Sequence, residues 1–147
     1  LRVHTRRLIQ DSEGAGRFRG APGIRVELGP VNCRMEAGFV ADGNIHIPLG
    51  ARNGGPASRS DQFRLTVKGE LERLDQCSQV WIEDGEVLVS IACGGGGYGD
   101  PKTRDPERVL HDVREGIVSR NRAQEIYGIV IDEKMEIDEA ATQSLRA

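Results

Sequence analysis

Short runs of apolar and β-branched residues, separated by turn residues, fill the first two thirds of the chain. Such alternating or continuous runs are typical of β-strands. They predict an antiparallel, sandwich-like body, since no long helical pattern interrupts them. The Asp84-Gly85 pair predicts a hairpin between the last two strands. The predicted strands cover residues 24–28, 34–40, 63–67, 79–82 and 86–92.

The period changes from strand to helix after Pro101. Asp105 is predicted to be an N-cap, with Pro106 at the first helical position. Apolar residues spaced three or four apart give this helix one apolar face, and a glycine is placed to end it. The face consists of Val109, Leu110, Val113 and Ile117, and the glycine is Gly116.

Two more helical segments are predicted, and they complete the fold class. Ser119 begins a short helix that Gly128 closes, residues 129–131 return to β, and a final helix starts near Asp138. The chain is therefore predicted to be α+β. A β-rich body over 1–100 and an α-rich tail over 101–147 would pack as one domain.

Composition narrows the class of protein. The chain has 147 residues, 37% of them hydrophobic, with a mean hydropathy of −0.44, as expected of one folded domain. No apolar run is long enough to span a bilayer, so no membrane partner is expected. The net charge of −3 gives no reason to expect nucleic acid.

The positions of the cysteines and histidines indicate the cellular compartment and whether a metal site is expected. The three cysteines have no CxxC spacing, which argues against disulfides and predicts a reducing, cytoplasmic location. The three histidines lie far apart, so no metal site is predicted. No nucleophile motif is present, so no residue is assigned a catalytic role.

The most unusual stretch is a glycine run that contains one tyrosine, Gly94-Gly95-Gly96-Gly97-Tyr98-Gly99. So many glycines predict either positive φ angles or a close approach by another group. A phosphate-binding P-loop needs Lys-Ser/Thr after its last glycine, and this run has Asp100-Pro101. Two hypotheses stay open. The run is a tight crossing or subunit contact, or its amides and Tyr98 line a ligand site completed elsewhere.

A second glycine-containing loop carries Arg17 and Arg19. In an extended segment their side chains lie on one side and Phe18 on the other. Paired guanidinium groups hold carboxylates or phosphates well, so both arginines are candidate ligand-binding residues. The alternative is a loop whose arginines pair with acids while Phe18 is anchored in the core.

Taken together, these segments resemble the C-terminal part of the hydantoinase B/oxoprolinase family. The match depends most on the block from Gly94 to Tyr127-Gly128, which includes the Asp105-Pro106-Glu107 helix start. Glu13 and Ala21 depart from the family pattern, which usually has glycine at both positions. The other matching segments are Asp11 to Gly20 and Asn53-Gly54-Gly55-Pro56.

The resemblance implies a C-terminal fragment of a larger subunit. Its parent complex would use ATP and a divalent metal, with a hydantoinase A-type partner subunit, to hydrolyse cyclic amides such as hydantoin or 5-oxoproline. No cofactor is expected in the fragment itself. Two alternatives stay open: a subunit of an ATP-dependent acetone or acetophenone carboxylase, and a non-catalytic interaction module. Homo- or hetero-oligomers are expected in each case.

Overall fold

A computed structural model describes all residues from Leu1 to Ala147. Seven strands come first, followed by a short 3-10 helix at Pro101–Thr103 and three α-helices. The strands are β1 Arg2–Leu8, β2 Ile24–Gly29, β3 Met35–Val40, β4 Asp61–Leu65, β5 Leu71–Arg73, β6 Cys77–Ile82 and β7 Val87–Ala92. The helices are α1 Pro106–Arg114, α2 Arg120–Glu125 and α3 Glu139–Arg146. This order confirms the predicted α+β class.

The strands form two antiparallel sheets. The larger has five strands in the order β1-β2-β7-β4-β5, and the smaller pairs β3 with β6. All five predicted strands are present, with ends shifted by up to two residues. β1 and β5 were not predicted, because β1 is rich in arginine and β5 has only three residues.

The predicted hairpin at Asp84-Gly85 is wrong. A turn does form, with Gly85 at φ +88° and the Glu86 amide donating to the Glu83 carbonyl at 3.0 Å. However, β6 pairs with β3, whereas β7 lies between β2 and β4 in the other sheet. The turn therefore carries the chain from one sheet to the other.

All three helices begin where the sequence indicated, and each has a side-chain cap. The side chains of Asp105, Ser119 and Asp138 each accept a hydrogen bond from a first-turn amide, which satisfies one unpaired donor of each helix. Gly116 and Gly128 follow α1 and α2 with positive φ angles. The predicted return to β at 129–131 is reduced to one isolated bridge between Ile131 and Ile137. None of the helices is long and apolar enough to cross a membrane.

The main apolar core lies in the helical tail. Val109, Val118, Tyr127 and Ile129 are completely buried there. The loop between β1 and β2 enters this core with Ala15. That loop is held to the tail by the Asp11 amide, which donates to the Ile117 carbonyl at 2.9 Å. The loop thus links the sheet to the helices and positions the candidate site.

Candidate functional site

Three glycine-containing loops meet beside the helical tail. We call their meeting point the glycine crossing, and it comprises residues 14–20, 50–55 and 94–99. Backbone hydrogen bonds tie the segments together directly. The Gly14 amide donates to the Gly95 carbonyl at 2.9 Å, and the Gly97 amide donates to the Gly55 carbonyl at 3.0 Å. Tyr98 bridges to both other segments, at Phe18 and Ala51.

The crossing has no room for side chains. A Cβ atom on Gly97 would lie 1.9 Å from the Ala15 carbonyl oxygen, and one on Gly20 would lie 1.8 Å from the Gly95 carbonyl oxygen. Both obstacles are backbone atoms, which cannot move aside without shifting a whole loop. Glycine is therefore required at these positions because three backbones touch one another there.

The glycine run does not fit a phosphate cradle. Four of its amides, those of Gly95, Gly97, Tyr98 and Gly99, already donate to backbone carbonyls. A cradle needs several amides aimed outward together. Nor does any group of three or more His, Cys, Asp or Glu side chains stand close enough to hold a metal ion. The residues present fit neither the triphosphate of ATP nor a divalent metal.

The outer side of the crossing carries two exposed aromatic rings. Phe18 and Tyr98 have ring centroids 6.4 Å apart, and they are 53% and 48% exposed. Phe18 was expected in the core in the alternative hypothesis, and that expectation is wrong. Its backbone pairs with Tyr98 in an isolated antiparallel bridge, and its ring faces outward.

A cleft of about 270 Å³ lies next to these rings, and we call it the Arg17 cleft. The Arg17 guanidinium lies 5.7 Å from the centroid of the Phe18 ring. Neither Arg17 nor Arg108 is in any of the ion pairs of the chain. Two unpaired guanidinium groups beside one carboxylate suit an anionic ligand. The cleft is lined by Arg17, Phe18, Thr103, Asp105 and Arg108.

Arg19 does not share this cleft, because its side chain is held by a buried carboxylate. It donates to Asp112 Oδ1 at 2.9 Å, while Arg104 donates to Asp112 Oδ2 at 2.8 Å. Asp112 is only 2% exposed, and the hydrogen bond that Arg19 donates to this carboxylate raises the pKa of Arg19. The predicted arginine pair is therefore split: Arg17 faces the cleft, and Arg19 fastens the loop to α1.

A second buried carboxylate fastens the same loop to α2. Glu13 is 1% exposed and accepts hydrogen bonds from Arg122 at 2.8 Å and from the Tyr127 hydroxyl at 3.0 Å. Burial, together with the nearby Glu13, raises the pKa of Tyr127 far above its usual value, so the phenol stays protonated.

Neither cluster was predicted from the sequence, because each joins a carboxylate to an arginine that lies roughly a hundred residues away along the chain. One signal was present: Glu13 is a position where the family pattern usually has glycine. A carboxylate at such a position needs a buried partner, and the structure supplies Arg122 and Tyr127.

Comparison with known proteins gives the family. A family model described as hydantoinase B/oxoprolinase matches residues 1–101. The chain belongs to the hydantoinase B/oxoprolinase family. The resemblance carried by the glycine segments is thereby confirmed, and the three segments of the glycine crossing all fall inside the matched residues.

The matches include caprolactamase and carboxylase subunits. The caprolactamase subunit beta of Pseudomonas jessenii is 38% identical over 149 residues, covering 99% of this chain and 26% of that subunit. The acetophenone carboxylase delta subunit of Aromatoleum aromaticum is 41% identical over 103 residues, covering 62% of this chain and 15% of that subunit.

A solved structure shares the fold. The crystal structure of ATP-dependent caprolactamase from Pseudomonas jessenii matches with a TM-score of 0.79 at 34% identity, covering 98% of this chain and 26% of that chain. Our chain therefore spans about a quarter, or less, of the length of these relatives.

Proposed function

We propose that the chain is the C-terminal domain of a hydantoinase B-type subunit in an ATP-dependent complex that hydrolyses cyclic amides. The supporting observation is the likeness to caprolactamase, which extends over 98% of this chain. A lactam is a cyclic amide, as are hydantoin and 5-oxoproline. We assign ATP and the divalent metal to parts of the complex outside these 147 residues, which offer neither a phosphate cradle nor a metal-ligand cluster.

The proposal includes a cytoplasmic complex with a hydantoinase A-type partner subunit. In it this domain forms one wall of a ligand site at the Arg17 cleft. Arg17 and Arg108 supply guanidinium groups for a carboxylate or phosphate oxygen, and Tyr98 and Phe18 supply apolar contact.

In this proposal, the other residues predicted to bind ligand hold the ligand-contacting residues in place. Gly94 to Gly97 hold Tyr98 in place because their packed backbones leave it little freedom. Arg19 holds the loop that carries Arg17, through Asp112. A rigid supporting layer of this kind keeps contact groups within the narrow geometry that binding needs.

The test uses the longer subunit that contains this chain, assembled with its A-type partner. Arg17→Ala is expected to lower ATP-dependent hydrolysis of a cyclic amide by at least about tenfold, the effect of losing roughly 1.4 kcal/mol of charged hydrogen bonding. Size-exclusion chromatography checks that the complex stays assembled. Arg73→Ala is the matched control, since Arg73 is exposed on the far sheet edge and should leave the rate unchanged.

Each of the other outcomes would contradict one part of the proposal. Unchanged turnover in Arg17→Ala would remove the cleft from the site, and loss of assembly would give Arg17 a structural role. If the unsubstituted complex released no ADP with any cyclic amide, the hydrolase function itself would be wrong.

A second candidate function is ATP-dependent carboxylation of a ketone. The 41% identity to the acetophenone carboxylase delta subunit favours it. The same complex supplied with acetone or acetophenone, bicarbonate and ATP distinguishes the two, because only a carboxylase consumes the ketone in a bicarbonate-dependent way. A complex that assembles yet turns over neither class of substrate would indicate a non-catalytic interaction module.

A further inference from the structure

One face of the five-stranded sheet carries apolar side chains that are half-buried or exposed. Strand register places Leu8 opposite Ile24 and Ile24 opposite Ala92, so all three side chains are on the same face. Val26 is on this face too, opposite Arg6 on one side and Ser90 on the other. We call this surface the β1 face, and it contains an open hollow of about 370 Å³.

Exposure on the β1 face is far higher than in the helical core. Val3 is 57% exposed and Leu8 52%, whereas Val109 and Val118 in the tail are fully buried. Single exposed apolar residues are common on protein surfaces, but a contiguous group marks a site of contact. Antiparallel sheets normally bury their apolar face against another layer.

Arg6 lies among these apolar side chains and lines the hollow. It is in none of the ion pairs of the chain. Covering the face would take this guanidinium out of water, which is unfavourable unless a carboxylate comes with the cover. The matching surface is therefore apolar and carries an acidic side chain opposite Arg6.

We propose that the β1 face is covered by an apolar, carboxylate-bearing segment of the same longer subunit. The inference rests on the proposed function, in which this chain is one domain of that subunit. The caprolactamase structure that shares this fold is about four times as long, and a subunit of that length has ample chain to supply a cover. A segment of the same polypeptide also docks at a high effective concentration.

A second copy of this chain fits the face poorly. A two-fold contact places equivalent residues of the two copies near one another. Arg6, which lines the hollow, would then face Arg6 of the other copy when the two-fold axis passes through the hollow. Like charges in a closing interface repel one another strongly, so the symmetric contact is disfavoured.

Thiol labelling of Val3→Cys tests the cover without reference to turnover. The labelling rate, measured at this site by peptide mass spectrometry, is expected to be at least about tenfold lower in the longer subunit than in the 147-residue chain. Val67→Cys is the matched control for reagent access, because Val67 is 69% exposed in the turn between β4 and β5. Its rate is expected to be the same in both proteins.

A variant with the opposite charge tests whether the covering segment carries a carboxylate opposite Arg6. Arg6→Glu in the longer subunit is expected to restore labelling of Val3→Cys, since it places a carboxylate against a carboxylate. Arg7→Glu is the control on the opposite face of the same strand and is expected to leave the protection intact.

Three outcomes would overturn the inference. They are equal labelling of Val3→Cys in both proteins, protection in the 147-residue chain that grows with its concentration, and protection that arises only when the A-type partner is added. The first leaves the face free, the second assigns it to another copy and the third to another subunit. Cyclic-amide hydrolysis is measured separately, so failure of either proposal is distinguishable from failure of the other.

Discussion

The glycine crossing with the helical tail and the two sheets differ in how completely they bury their own apolar side chains. The glycine crossing and the helical tail bury theirs completely at several positions, such as Val118 and Ile129. The two sheets leave large apolar side chains exposed, with Val40 84% and Leu71 54% exposed. The core of the helical tail is thus buried within these residues, whereas the Phe18 and Tyr98 rings of the crossing and the apolar side chains of the sheets stay exposed for contact with a ligand or with further protein.

Charged groups show the same contrast. Asp112 and Glu13 are buried carboxylates, and both bind arginines across roughly a hundred residues of sequence. In the sheet the pairs are short-range and partly exposed, as with Arg64 and Glu72, whose side chains are 32% and 43% exposed. Removing one partner of a buried pair costs far more than removing one of a surface pair. The difference gives each part its own mutational signature.

The largest difference between the two parts is expected at their glycines. Gly97→Ala in the crossing should prevent folding or lower the free energy of unfolding by at least about 3 kcal/mol, because the new methyl group would collide with the backbone of Gly14 and Ala15. Gly38→Ala in β3 is the control, with no atom within 4 Å of the added carbon, and should change the free energy by less than about 0.5 kcal/mol. Chemical denaturation measures both, and equal effects would show that the crossing is no tighter than the sheet.

The second largest difference is expected between the loss of unfolding free energy at a buried carboxylate and the loss at a surface carboxylate. Asp112→Asn leaves Arg19 and Arg104 without a counter-charge, so the free energy of unfolding should fall by about 3 kcal/mol. Glu72→Gln removes the acid of an exposed pair and should cost no more than about 1 kcal/mol. Urea denaturation of both variants measures the difference. A cost below about 1 kcal/mol for Asp112→Asn would show that the loop does not depend on this cluster.

A matched valine pair sharpens the contrast in apolar burial. Val118→Thr places a hydroxyl in the fully buried tail core and should destabilise the chain by about 2 kcal/mol. Val40→Thr makes the same change at an 84% exposed strand position and should have almost no effect on this chain. Thermal unfolding of both variants gives the comparison, which would fail if Val40→Thr proved equally harmful.

The smallest expected effect is the pH dependence of the stability that Glu27 contributes in the sheet. The hydrogen bond from Arg25 lowers the pKa of Glu27, with a further contribution from Thr5. A lowered pKa in the folded state adds stability above the unfolded-state value, and this stability is lost as pH falls through the folded value. Glu27→Gln should therefore cost about 0.5 kcal/mol at pH 7 and nothing at pH 2. Unfolding midpoints at the two pH values test this, and an equal cost at both would exclude the charge as its source.

Local signals explain which features could be predicted from the sequence. Asp105, Ser119 and Asp138 cap helices through bonds to residues two or three positions away, so sequence spacing reveals them. The sheet-to-sheet passage after β6 depends on which strands β6 and β7 pair with, and a turn motif carries no information about that. Fold class was therefore predictable, while the hairpin was not.

The candidate site also has some features that could be predicted from the sequence and others that could not. The glycine run and the arginine loop were visible as unusual composition, and the structure does bring them together. The partners of Arg19 and Glu13 lie far along the chain, on helices whose orientation no local pattern defines. Arg17 and Arg19 were therefore assigned one shared role, although only Arg17 reaches the cleft.

Amide hydrogen exchange tests the central contrast most directly, because it reports the stability of each segment separately. In the 147-residue chain, the amides of Gly97, Tyr98 and Gly99 should exchange as slowly as those of α1, while those of β1 and the β3–β6 pair exchange much faster. In the longer subunit, β1 should slow and the crossing should stay unchanged. Uniform exchange across the 147-residue chain, or a β1 that exchanges equally fast in both proteins, would contradict the account.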